Sequence, residues 1–380
     1  MTDEKVKDGL RAWYKLCPLR HTLLFVSAAA ILLHLLTRPY RALNRRLSAE
    51  FVQPAHRFLS GLAARVPFSV AELLIALLTV GLAAYLLLQL EALLLREGRP
   101  ARLYRTLVTL LTLGGLIYAG FCVLWGVYYY GDDFMAQSGL ESEPVSVEQL
   151  TAVTEYFAEL ANETGAQVPR DENGCCAFDR EALLGRSETL YRATTGEFPC
   201  LDGPERRVKG VLFSRAMSYL DFTGFFFPFT GEANVNMDFP PSLLPSTIAH
   251  ELAHQRGVAK EQEANFAAVL ACLNDGDPAF VYSAALLAYT HLSNALYRAD
   301  HEAWERISAG LSEGVRADFA ANRAYWAQFE TPVQSASNTV YESFLHSYDQ
   351  TLGLKSYGAC VDLLVNYYYP RLPSESRAAG

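Results

Sequence analysis

The residues with the clearest chemical potential form one short segment, His250-Glu251-Leu252-Ala253-His254. We predict that this segment is helical, and residues four positions apart share one face of a helix. Both imidazoles can therefore reach a single metal ion, and Glu251 beside them can accept a proton from a water molecule at that ion. The spacing predicts a zinc site at which water attacks a carbonyl, with His250 and His254 as ligands and Glu251 as the catalytic base.

A hydrolytic zinc site needs a third protein ligand and one open position. Glu261 follows His254 by seven residues and lies beyond Gly257, which is suited to end one helix and turn the chain back. Glu261 is therefore the predicted third ligand. Asn265, four residues further on, shares the helical face of Glu261 and can orient a ligand imidazole through a hydrogen bond. Glu263 is the alternative ligand, although it points to a different face of the helix.

Two resemblances extend this interpretation. Residues 261–265 resemble the E-x-x-A-D/N signature of several zincin peptidase families, in which the first Glu is the third zinc ligand. A wider resemblance, to a family of uncharacterised bacterial membrane proteins that are regarded as zinc metallopeptidases, involves residues 228–236, 250–266, 282–283 and 356–358. It implies one Zn²⁺ ion held by His250, His254 and Glu261, with Glu251 as the base. Asn265 stands where many zincins have Asp, so its bond to a ligand is neutral.

Candidate substrate contacts lie upstream of the motif. Residues 231–236 alternate as a β-strand does, and zincins commonly place an edge strand above the metal, where substrate backbone adds as a further strand. The predicted substrate-binding residues are Glu232, Asn234 and Asn236, which would face one side of that strand. A hairpin whose polar groups bind one another is the alternative interpretation. Tyr282 is a further candidate, because a Tyr, His or Arg often stabilises the oxyanion. Tyr289, His291 and His346 are further candidates for the same role.

Three apolar runs predict transmembrane helices at about residues 21–37, 71–95 and 106–129. Residues 1–130 would then form a membrane anchor, and residues 131–380 a separate domain. The N-terminal flank and the second loop hold nine Lys and Arg against six in the first loop, which favours a cytoplasmic N-terminus and a domain outside the cytoplasm. A signal peptide at the first run and buried helices of a soluble protein are the alternatives.

Charge is divided unevenly along the chain. Residues 1–105 contain 15 Lys and Arg against 7 Asp and Glu, whereas residues 106–380 contain 17 against 34. The acidic part has no basic patch, which argues against nucleic-acid binding. The expected partners are therefore a protein or peptide substrate and the lipid bilayer.

The predicted fold is mainly α with a small β element, in which three N-terminal transmembrane helices precede a zincin-like α+β metallopeptidase domain, mostly helical from Pro245 onward. The predicted function is that of a multi-pass cell-membrane protein with zinc-dependent metalloendopeptidase activity in an extracytoplasmic domain. A non-catalytic zincin-like sensor or assembly factor is the alternative, but such a module has no need of Glu251 as a base. An intramembrane protease is disfavoured, because Arg256 and Lys260 closely follow the motif.

Overall fold

The computed structural model describes residues 13–140, 143–347 and 357–374. They form two compact units, one of residues 13–55 and 70–131 and one of residues 56–69 and 132–374. Ser356, in one of the segments of resemblance, lies outside the described residues, as do residues 1–12 of the predicted anchor.

The first unit is built from apolar helices. Three of them are long and apolar enough to span a membrane: α1 (Pro18–Thr37), α4 (Val70–Leu95) and α5 (Arg99–Leu124). The three predicted apolar helices are thereby confirmed, although α5 begins and ends earlier than predicted. Pro100 in its first turn suits a helix start, and Gly126–Tyr130 forms a separate 3₁₀ turn. Shorter helices between α1 and α4 are α2 (Arg41–Leu47) and α3 (Gln53–Ala63), which continues into the second unit.

The second unit is mostly helical, as predicted. Its helices are α6 (Phe134–Ser138), α7 (Val147–Gly165), α8 (Arg180–Arg186), α9 (Ser214–Tyr219), α10 (Leu244–Gln255), α11 (Glu261–Asp275), α12 (Pro278–Ala299), α13 (His301–Ala309), α14 (Glu313–Ala327), α15 (Pro332–Ser347) and α16 (Tyr357–Tyr368). Helix α12 packs against α7 and α11, and α11 packs against α10. Fully buried rings such as Phe157, Phe266 and Phe280 fill the core between them. The apolar faces of these helices therefore fix the position of α10 and α11.

A three-stranded sheet covers α10. Its strands are β1 (Lys209–Val211), β2 (Gly224–Phe227) and β3 (Glu232–Asn236), in the order β1-β3-β2, with β1 parallel and β2 antiparallel to β3. The predicted strand at 231–236 is present, but the prediction that it is an edge strand was wrong. It is the central strand, because β1 pairs with its second edge, where Lys209 and Glu232 form a buried ion pair of 2.7 Å.

Residues 56–69 fold with the second unit, although the apolar runs place them within the predicted membrane anchor. The Nζ of Lys209 donates to the carbonyl oxygens of Ala63 at 2.6 Å and Phe68 at 2.9 Å. The hydroxyl of Ser69 donates to Oδ1 of Asn234 on the central strand, at 2.6 Å. The segment between two apolar helices is thus bonded to the sheet. Nothing in its local sequence pattern indicates these distant partners.

Candidate metal centre

Helices α10 and α11 meet at a tight turn. Gly257 adopts a φ of 91°, a left-handed conformation that favours glycine. Its N–H donates to the carbonyl oxygen of His254 at 2.9 Å, and the N–H of Val258 donates to that of Ala253 at 3.1 Å. This pair of bonds defines a Schellman helix end, which reverses the chain. The turn brings Glu261, the first residue of α11, back to the end of α10.

The three predicted ligands come together at this turn. The Nε2 atom of His250 lies 3.2 Å from Oε2 of Glu261, and the Nε2 atom of His254 lies 3.7 Å from the same oxygen. The ligand atoms of the three residues all lie within 4.8 Å of one another. One cation can therefore contact all three.

Hydrogen bonds orient both imidazoles. The Nδ1 of His254 lies 2.7 Å from the carbonyl oxygen of Val258, and the Nδ1 of His250 lies 2.9 Å from Oδ1 of Asn265. A carbonyl oxygen only accepts, so each Nδ1 carries a proton, and Nε2 is the ring nitrogen left to face Glu261. Once it has lost its proton, each Nε2 can bind a metal on the side of Glu261. Asn265 holds the orienting position that its spacing predicts.

Tyr341 of α15 completes the surroundings of Glu261. Its hydroxyl donates to Oε1 of Glu261 at 2.8 Å, while Oε2 faces the two imidazoles. Burial opposes ionisation of Glu261, but His254 and His250 hold the pKa of this carboxyl well below its usual range. The group is therefore a carboxylate with one oxygen toward the ligand cluster. Tyr341 was missed by sequence reasoning, since no spacing links it to the motif.

Glu251 is buried beside the ligands and close to β2. Its side chain packs so tightly against Gly224 that a Cβ there would lie 2.5 Å from Oε1 and 2.7 Å from Cγ of Glu251. Its Oε2 makes no hydrogen bond within the described part of the chain. Burial raises the pKa of the Glu251 carboxyl to about 7, against the opposing influence of His250 and His254. Such a pKa suits a group that exchanges protons near neutral pH.

A cavity of about 420 Å³ adjoins the ligand group. His250, Glu261 and Asn265 line one end, and the rest of its wall comes from residues of α10, α12, α14 and α15, from Thr223 just before β2, and from residues between β3 and α10. His291 is part of this wall, and burial lowers the pKa of its ring to about 4, so the ring is neutral near pH 7. The size is typical of a site that binds a small molecule or a side chain.

The donor set fits a divalent cation such as zinc. Two imidazole nitrogens and one carboxylate oxygen are the three protein ligands of many hydrolytic zinc sites, and the orienting bonds on both imidazoles are typical of metal-bound histidines. Glu263, the alternative third ligand, lies elsewhere, because its Oε2 accepts a hydrogen bond of 2.9 Å from the backbone N–H of Phe134.

A family profile matches residues 48–365, and its description is a protein of unknown function, DUF3810. The chain belongs to the DUF3810 family. The matched region contains the ligand group, Glu251, Asn265, Tyr341 and all three strands of the sheet. No curated protein and no solved structure matches the chain. Because the DUF3810 description names no activity, a chemical interpretation rests on the geometry of the site.

In this DUF3810 chain, the polar side chains of β3 bind other parts of the protein. Glu232 pairs with Lys209, and the side chain of Asn234 accepts from Ser69. The Nδ2 of Asn236 donates to the hydroxyl of Ser218 at 2.9 Å. All three predicted substrate contacts are buried and satisfied, so the alternative interpretation of internally bonded polar groups describes them correctly.

Tyr282 also lies away from the ligand group. It is fully buried, its hydroxyl donates to Oδ2 of Asp318 at 2.5 Å, and Arg170 pairs with the same carboxylate at 3.0 Å. The prediction that Tyr282 contacts the substrate was therefore wrong, because its side chain is held in this buried network between α12 and α14. Of the other candidates, His291 lines the cavity, whereas the hydroxyl of Tyr289 bonds to that of Ser308.

Strand β2 takes the outer position that was predicted for 231–236. The N–H of Asn236 donates to the carbonyl oxygen of Thr223 at 2.8 Å, just before β2 begins. Backbone groups alternate in direction along an antiparallel pair, so those of Phe225 point toward β3 and those of Gly224 and Phe226 point away from it. The outward-facing backbone therefore includes Gly224, which contacts Glu251.

Proposed function

We propose that this protein is a membrane-anchored, zinc-dependent peptide hydrolase with a zincin-like catalytic domain outside the cytoplasm. The observation that carries the proposal is the convergence of His250, His254 and Glu261 on one point, with the buried carboxyl of Glu251 beside them. Each Nδ1 bonds to a carbonyl oxygen and each Nε2 faces one carboxylate, which is the arrangement typical of metal-binding histidines.

The proposed roles follow from these contacts. His250, His254 and Glu261 would hold the ion, while Asn265, Val258 and Tyr341 orient them. When bound, zinc supplies a positive charge that polarises the peptide carbonyl and lowers the pKa of a water molecule. Glu251 would accept a proton from the attacking water and deliver it to the leaving amine, because its carboxyl lies beside the ligands.

The substrate backbone would bind to the outer edge of β2. Gly224 presents its backbone N–H and C=O groups away from β3, and an extended peptide can pair with such an edge. Because Gly224 contacts Glu251, a peptide paired there lies next to the base. This binding mode replaces the role that the sequence suggested for Glu232, Asn234 and Asn236.

The membrane topology is supported by residues 56–69. This segment precedes α4, and residues 132–374 follow α5, yet both belong to one compact unit. Two membrane crossings, by α4 and α5, return the chain to the side from which it started. Three spanning helices therefore leave residues 56–69 and 132–374 on the same side of the membrane, as one compact unit requires. The Lys and Arg distribution then favours the outer side for the catalytic domain.

Cleavage by the full-length protein in lipid nanodiscs tests the proposed function. We expect the zinc-loaded wild type to hydrolyse members of a diverse peptide mixture, and Glu251→Gln to bind zinc but lose cleavage. Glu302→Gln is the matched control, because Glu302 is exposed on α13. Undiminished cleavage by Glu251→Gln would refute the assigned base. Zinc binding without cleavage of any peptide by the wild type would favour the non-catalytic sensor instead.

A further inference from the structure

The wall of the cavity beside the ligands has a distinctive chemistry. Among its described lining residues, Glu261 is the only acidic one, and none is Lys or Arg. Apart from the metal ligands, these residues therefore offer no side chain of fixed charge that could pair with a charged group.

Most of the exposed surface of the wall is apolar, although many of its residues are polar. Phe239, Leu287 and Trp326 contribute rings and aliphatic groups. Two threonines of the wall use their hydroxyls to bond their own helices, since Thr290 donates to Leu286 at 2.7 Å and Thr247 donates to Leu243 at 3.0 Å. Their hydroxyl protons are thus engaged within the protein. Asn322 is also engaged, because its Oδ1 accepts from the Nε1 of Trp326 at 3.2 Å.

We propose that this cavity binds the side chain of a residue that flanks the scissile bond, and that it selects bulky, uncharged side chains such as Phe, Leu, Met or Tyr. This inference rests on the proposed peptide hydrolase function. The position follows from His250 and Glu261, which line both the metal site and the cavity. The selectivity follows from the wall: apolar groups gain by leaving water there, whereas Lys, Arg, Asp or Glu would find no side chain of opposite charge among its described residues other than the metal ligands.

Mapping of cleavage sites tests the selectivity directly. The full-length zinc-loaded protein in nanodiscs is incubated with a peptide library of even composition, and the products are sequenced by mass spectrometry. We expect one position beside the cut to favour bulky uncharged residues over charged ones by at least about tenfold in kcat/KM. Cleavage with no preference, or beside charged residues, would overturn the inference and leave the peptidase proposal standing. A wild type that binds zinc and cleaves nothing would refute both the selectivity of the cavity and the peptidase proposal.

Two variants test whether this cavity determines the side-chain preference beside the scissile bond. Asn322→Asp keeps the acceptor for Trp326 and adds a negative charge, so the preference is expected to move toward Lys and Arg. Asn173→Asp, in an exposed loop outside the cavity, is the matched control and should leave the profile unchanged. Leu287→Trp fills the cavity and should shift the preference toward small residues. Unchanged cleavage profiles in both folded cavity variants would overturn the assignment, and if Asn322→Asp fails to fold, Leu287→Trp decides.

Discussion

The hydroxyl of Tyr341 donates a hydrogen bond of 2.8 Å to Oε1 of Glu261, the oxygen that does not face the two imidazoles. This bond joins α15 to the first residue of α11 and limits how the carboxylate can rotate. A ligand carboxylate that is held in this way presents one oxygen to a metal at lower entropic cost.

Loss of that bond should weaken metal binding. For Tyr341→Phe, which keeps the ring, we expect zinc affinity to fall by about 10- to 100-fold, because Glu261 is no longer oriented. Competition with a chromophoric chelator measures this affinity. Tyr297→Phe is the control, since Tyr297 is 52% exposed on α12 and does not line the cavity. Equal affinities for wild type and Tyr341→Phe would show that the bond does not orient the ligand.

A methyl group at Gly224 should displace the base. In Gly224→Ala the new Cβ would lie 2.5 Å from Oε1 of Glu251, so the carboxyl or β2 must move. A shift of about 1 Å can cost on the order of 100-fold in rate, so we expect kcat to fall by about that factor while zinc stays bound. Gly185→Ala is the matched control, because nothing lies within 4 Å of its Cβ position. Full activity in Gly224→Ala would argue against this contact being needed.

Glu263 should make stability depend on pH. Burial raises the pKa of its carboxyl to about 7, despite the opposing influence of Lys260. The unfolded chain has the ordinary value near 4.5, so folding favours the protonated form. The contribution of Glu263 is therefore complete below about pH 4.5 and is lost as pH rises through about 7, with a total of about 3 kcal/mol.

Glu263→Gln should remove this dependence, because the amide cannot ionise. We expect the thermal midpoint of the wild type to fall relative to that of Glu263→Gln between pH 5 and pH 8, in the same detergent. Glu302→Gln, at an exposed position, should follow the wild type throughout. Parallel midpoints for wild type and Glu263→Gln across this range would contradict the assigned burial effect.

Residues 65 and 173 should lie on the same side of the membrane, because both belong to the second unit. Residue 97, between α4 and α5, should lie on the opposite side. Epitope tags inserted at these three positions can be probed by antibody in sealed right-side-out membrane vesicles. We expect the tags at 65 and 173 to be accessible and the tag at 97 to be protected. Different accessibility at 65 and 173 would contradict the three-span topology.

Local patterns predicted the centre of the site well. The spacing of His250 and His254, the glycine at 257 and the position of Glu261 are all short-range features, and helix periodicity converts them into geometry. The same periodicity placed Asn265 beside His250. The apolar helices were predictable for a similar reason, because length and composition alone decide whether a helix can span a membrane.

Long-range pairing could not be predicted in this way. β2 lies at the edge of the sheet because β1 pairs with the other edge of β3, and the sequence does not show which edges of a strand are paired. Tyr341 reaches Glu261 from a helix 80 residues further along the chain. The hydrogen bonds of Tyr282 with Asp318 and Arg170 could not be predicted for the same reason. The partner of a buried hydroxyl depends on which side chains the packed helices bring close to it.

Metal content tests the central claim most directly. Full-length wild type, Glu251→Gln and His250→Ala, purified in parallel and equilibrated with equal zinc, are compared by elemental mass spectrometry. We expect about one zinc per chain in the wild type and in Glu251→Gln, and close to none in His250→Ala, because two remaining ligands hold the ion poorly. A wild type without bound metal, or a His250→Ala variant that retains the full amount, would contradict the assignment of His250, His254 and Glu261 as a metal centre.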